Sequence, residues 1–104
     1  MALNNRYEPS HPAGQVLQYG LDFANLLPDG VTLSSATLGQ FLNSVPPTST
    51  NDFVLGPVTV TGRRAYAQLS GGVAGNDYRL TWTAYDSLGN VIPRTVLLLC
   101  AATS

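Results

Sequence analysis

In the segment DYRLTWTAYD, Tyr78, Leu80, Trp82 and Ala84 share one parity, and Arg79, Thr81, Thr83 and Tyr85 share the other. Alternation of this kind puts one set of side chains on each face of an extended chain, so it predicts a half-buried strand. VLQYGLDF reads the same way: Leu17, Tyr19, Leu21 and Phe23 face inward, Gln18, Gly20 and Asp22 outward. ANLLPDG predicts a tight helical turn closing at Pro28-Asp29-Gly30. In VTLSSATL the apolar parity shifts from Val31 and Leu33 to Ala36 and Leu38, which predicts a bulge at Ser34-Ser35. GQFLNSVPPTSTND reads as the longest loop, because Pro46-Pro47 excludes ladder pairing. FVLGPVTVTG predicts a strand broken at Gly56-Pro57, and RRAYAQLSG a strand with Ala65, Ala67 and Leu69 on one face. The turn SLGN joins DYRLTWTAYD to a returning strand, VIPRTVLLLCA. No apolar stripe of helical period exceeds one turn.

These short strands and polar turns, within 104 residues, predict an all-β fold. The expected architecture is an immunoglobulin-like antiparallel β-sandwich of about seven strands. Residues 1–15 are polar and broken by Pro9, Pro12 and Gly14, which predicts an extended N-terminal arm, with the sandwich over residues 16–104. The expected core contains Tyr19, Leu21, Phe23, Leu80, Trp82, Val96 and Leu98. In the last strand Val96, Leu98 and Cys100 suit the core. Leu97 and Leu99 then point outward, where an isolated sandwich favours polar residues. Cover by a loop, by the arm or by another subunit are open alternatives.

Composition narrows the function. Charged residues make up 11% of the chain, the formal net charge is -1, and lysine is absent. No broad basic surface for nucleic acid or anionic lipid is available, and so little charge suits a protein packed against others. The N-terminus lacks an apolar signal-peptide core, and no apolar run reaches the length of a membrane span. The single cysteine, Cys100, excludes an intrachain disulfide and reads as a small core residue.

LSGGVAGNDY, Leu69 to Tyr78, resembles a phosphate-binding glycine loop. Such a loop needs a lysine and an ensuing helix, and here a strand follows. The structural reading is a corner between sheets: Gly71, Gly72 and Gly75 supply positive φ, and the hydroxyl of Tyr78 bonds back to the corner backbone. His11, the only histidine, sits in a proline-bounded arm and reads as a solvated or contact residue. The aspartates fall mainly at turns, where backbone capping is the ordinary role. No catalytic site, cofactor site or metal site is expected.

The stretches HPAGQVLQYGLDFANLL, DGVTLSSATL and LSGGVAGNDYRLTWTAYDSLGN…RTVLLLCA together resemble a family of small tailed-phage virion proteins, the fibre–tail adaptors. The Tyr-x-x-Asp-aromatic element is Tyr19 to Phe23, and Ser-Gly-Gly-x-x-Gly-x-x-Tyr is Ser70 to Tyr78. Phe23 stands where the family has tryptophan, and His11 where it has aspartate before proline. The resemblance implies an immunoglobulin-like sandwich and a non-enzymatic virion protein, made in the host bacterial cytoplasm, that joins tail or neck to a fibre. It also implies a ring of copies and other virion proteins as partners, with no nucleic acid or membrane. Leu97, Leu99, Tyr7, His11 and Tyr85 are the candidate partner contacts, and the arm is expected to lie on a neighbouring subunit. Alternatives are capsid decoration and a host-glycan-binding module using Tyr66, Tyr85 and Tyr7 as a stacking platform.

Overall fold

A computed structural model of the chain describes residue 7 and residues 11–101. Its strands are β1 (His11–Pro12), β2 (Leu17–Asp22), β3 (Leu33–Leu42), β4 (Thr48–Ser49), β5 (Phe53–Leu55), β6 (Thr59–Thr61), β7 (Arg64–Gly71), β8 (Asp77–Asp86) and β9 (Val91–Ala101). One sheet has the order β1-β9-β8-β3-β4. The other has β2-β7-β5, with β6 also paired to β7. The protein is an antiparallel β-sandwich, except that β1 runs parallel to β9.

Alternation produces the core directly. Tyr78, Leu80, Trp82 and Ala84 of β8 are fully buried, facing Ala65, Ala67 and Leu69 of β7 and Phe23. Burial of one large apolar side chain contributes about 1.5–3 kcal/mol, so this central layer dominates stability. Val96, Leu98 and Cys100 are buried as their parity requires. Tyr19 and Leu21 pack against the core from its margin and stay half-buried, because β2 is an edge strand.

The parity shift at Ser34-Ser35 is a register slip in β3 between Leu33 and Ser35. The chain breaks at Gly56-Pro57 between β5 and β6. Ala24–Leu26 forms one 3-10 turn, to which Asp22 contributes a carboxylate acceptor for the Ala24 N–H at 2.8 Å. The long loop is shorter than its composition suggested. β3 continues to Leu42, and Thr48-Ser49 pairs back onto Phe41 and Leu42, leaving the prolines at the tip.

Gln40 is a buried polar residue that stitches the sheets together. Its amide donates to Phe53 O at 2.8 Å and accepts from Phe53 N at 2.9 Å. One side chain thus replaces a strand neighbour for β5 and leaves no buried group unpaired there.

Candidate functional site

The glycine corner is held from three directions. Gly71, Gly72 and Gly75 have φ of 87°, 87° and 91°, a region L side chains avoid. A Cβ on Gly72 would lie 2.8 Å from both Cys100 Sγ and a Phe53 ring carbon, so the backbone sits directly on the core. The Tyr78 hydroxyl accepts from Val73 N–H at 3.1 Å and donates to Asp52 at 2.8 Å. Burial, then the bond to Asp52, raises the Tyr78 pKa. The bond back to the corner spans five residues; the one to Asp52 crosses to the segment before β5.

The arm residues within the described part lie on their own sandwich. His11 is not solvated but fully buried. The parallel β1–β9 pairing sets it opposite Cys100 and carries its ring between the sheets. Nδ1 shares a hydrogen bond with the Tyr19 hydroxyl at 2.9 Å, and the ring meets Phe53 edge-on at 5.2 Å. Nε2 is buried without a hydrogen-bond partner among the described residues. Burial lowers the imidazole pKa, so the neutral form occupies this position.

Tyr7 is half-buried and packs against the core. Its hydroxyl donates to Gly20 O at 2.9 Å and accepts from the Trp82 indole N–H at 2.9 Å. Burial pushes its pKa up to about 12. Its own N–H donates to Leu97 O at 2.9 Å. Leu97, expected on the outer face with a loop, the arm or another subunit as its cover, is buried within the chain itself, whereas Leu99 is 38% exposed. Tyr7, Tyr19, His11, Phe53 and Tyr78 form a chain of ring contacts with centroid separations from 4.6 to 5.7 Å. Sequence reasoning missed this seat; the only sequence signal was two aromatic rings, Tyr7 and His11, in an otherwise polar arm. The remainder of the expected arm, residues 1–6 and 8–10, lies outside the described residues.

The three-tyrosine platform is not assembled. Tyr7 turns its hydroxyl inward to Gly20 and Trp82, while Tyr85 on β8 and Tyr66 on β7 belong to different sheets. Among the described residues, no three His, Cys, Asp or Glu side chains converge on a point.

Strand register places several loops at one end of the sandwich, where β3 and β9 finish and β8 and β5 begin. These loops brace one another. Gly14 N–H donates to Gly71 O at 3.0 Å, Gly75 N–H to Cys100 O at 2.8 Å and Asn43 N–H to Asp77 O at 2.9 Å. In the β3–β4 loop, Ser44 Oγ donates to Pro46 O at 2.8 Å, and Arg79 Nε donates to Asn43 Oδ1 at 2.7 Å. On this braced end Val16, Val45, Val54, Val73 and Leu99 are exposed, Val45 at 97%. The arrangement is a rim of hydrogen-bonded loops around exposed apolar residues. It offers aliphatic side chains on a fixed frame, which suits protein docking.

A family model described as "Podophage GP4 fiber-tail adaptor protein gp77" matches residues 12–99. The chain belongs to this fibre–tail adaptor family. The matched segment takes in the corner, both sheets and the aliphatic end. The adaptor is therefore a structural component of a phage virion. No curated protein matches the chain.

Proposed function

We propose that the adaptor joins a tail or neck protein to a fibre by seating its aliphatic, loop-braced end in an apolar socket on one neighbour, with copies arranged as a ring. The exposure of Val45 at the tip of a hydrogen-bonded loop carries this reading. A fully exposed valine followed by Pro46 and Pro47 loses little conformational freedom on docking, so its burial counts almost wholly toward affinity. The ionisable side chains nearest this end, Asp52, Asp77 and Arg79, are already hydrogen-bonded within the chain. An uncharged partner surface therefore fits better than an ionic one. The strand order β9-β8-β3 opposite β2-β7-β5 supports an immunoglobulin-type arrangement of the sandwich. The protein performs no reaction in this account and is made in the host cytoplasm before assembly.

Particles assembled with Val45→Asp and Val73→Asp test it. Fibre occupancy counted by electron microscopy should fall strongly, while the purified variants melt within a few degrees of the parent. Full occupancy on particles carrying both variants would remove the aliphatic end from the interface.

A further inference from the structure

A second surface lies on the outer face of the β2-β7-β5 sheet, independent of the docking end and of the adaptor reading. Where the chain leaves the ladder at Gly56-Pro57, it opens a depression of ≈ 240 Å³ lined by Gln18, Pro57, Thr59, Tyr66, Ala67 and Gln68. Gln18 and Gln68 are directly opposite in register. Their amides, and the Thr59 hydroxyl, have no hydrogen-bond partner among the described residues. Tyr66 pairs across the strands with Gly20 on one side and Thr59 on the other.

Gly20 makes room for the Tyr66 ring. A Cβ there would lie 2.7 Å from Tyr66 Cδ1, so any side chain would lift the ring off the sheet. On the same face of β7, Arg64 pairs with Asp22 at 3.3 Å. The result is a half-exposed aromatic ring held over a glycine notch, beside two free amides, a free hydroxyl and a proline.

We infer that this depression is a binding site for a neutral saccharide. An aromatic face stacks against the apolar C–H face of a sugar ring, and glutamine amides can each donate and accept, as vicinal hydroxyls require. No carboxylate or cation lines the depression, which disfavours charged ligands. A peptide adding a strand would need a free backbone edge, whereas β7 is paired on both sides here. With one stacking ring and few polar contacts, affinity is weak, on the order of 1 mM.

The test is titration of the ¹⁵N-labelled full-length protein with maltotriose, cellotriose and tri-N-acetylchitotriose, with a neutral glycine-serine peptide as the contrasting probe. At least one sugar should shift the amides around Gln18, Thr59 and Tyr66 to Gln68 saturably. Tyr66→Ala should weaken binding by about tenfold, the upper range for a lost ring contact, while Tyr66→Phe retains most of it. Gln18→Ser, at a position without internal bonds, should fold as the parent and bind less well. Silence with all three sugars at millimolar concentration would overturn the proposal. So would binding of the peptide alone, or sugar shifts that persist in a folded Tyr66→Ala variant.

Discussion

The two ends of the sandwich are built from the same strands yet finished by different loops. At the hairpin end, Asp86 is buried and turns its carboxylate to the loop, accepting from Leu88 N–H at 2.9 Å and Asn90 N–H at 2.8 Å. Around it stand Asp22 paired with Arg64, and Arg63 donating to Val31 O. At the arm end, Asp52 serves the Tyr78 hydroxyl, and the exposed positions carry Val16, Val45, Val73 and Leu99. Polar capping closes both ends, and both present some aliphatic surface to solvent: Leu88 and Val91 are exposed at the hairpin, while the arm end carries more such residues, on loops that hydrogen-bond one another. The layered fold is neutral between its ends, so what distinguishes them lies in their loops.

Breaking the arm end from within should have the largest effect. Gly72→Ala forces a Cβ against Cys100 Sγ and Phe53 at a backbone φ that alanine avoids. It should cost about 3 kcal/mol, combining overpacking with strain, and be read as a large fall in the melting midpoint. The same substitution at Gly89, in the hairpin turn with open space around it, should cost about 1 kcal/mol from φ alone. Equal losses at the two sites would mean that the corner does not rest on the core.

Tyr78→Phe removes the hydroxyl that joins Val73 to Asp52 but keeps the buried ring. The expected loss is about 1–2 kcal/mol by denaturant unfolding, and amide exchange should quicken at Val73 more than at Asn90.

Acid should separate the ends further. His11 has a lowered pKa in the fold, so the unfolded chain binds the proton more readily. Stability is then complete above the ordinary histidine pKa of about 6.5 and declines as pH falls below it, toward the lower folded value. Asp86 is also buried, which opposes ionisation, but the bonds from Asn90, Leu88 and Gly89 prevail and lower its pKa. Its contribution is complete above the ordinary carboxylate range near 4 and is lost only as pH falls through the folded value. A melting midpoint followed from pH 8 to pH 3 should show the first decline disappear in His11→Asn, whereas Asp86→Asn should flatten the second.

The smallest effect on stability belongs to Val45→Asp, expected to stay within about 0.5 kcal/mol because the side chain is exposed. Its consequence should appear in assembly alone.

Much of the sandwich was legible in the chain. The strict alternation of Tyr78 to Tyr85 led to the central strand, and the parity shift at Ser34-Ser35 marked the slip in β3. Both follow from local periodicity, which sterics convert directly into faces. The seat of the arm was not legible. His11 reaches the core through two residues of parallel pairing with β9, and Tyr7 through three hydrogen bonds to distant groups; neither leaves a periodic trace. The apparent surplus of apolar residues at Leu97 and Leu99 was a real signal with two different origins. Leu97 is buried on the strand whose carbonyl receives Tyr7, and Leu99 stays at the exposed end. Gln40, read as part of a loop, gave no hint that its amide would bind the Phe53 backbone, because its partner is set by the packing of the two sheets.

A cryo-EM map of the assembled particle with this chain traced tests the account most directly. The adaptor should be found with Val45, Val73 and Leu99 buried against an apolar surface of a tail, neck or fibre protein, while the hairpin around Asp86 makes no such contact. A map in which the hairpin end is buried and Val45 faces solvent would contradict it.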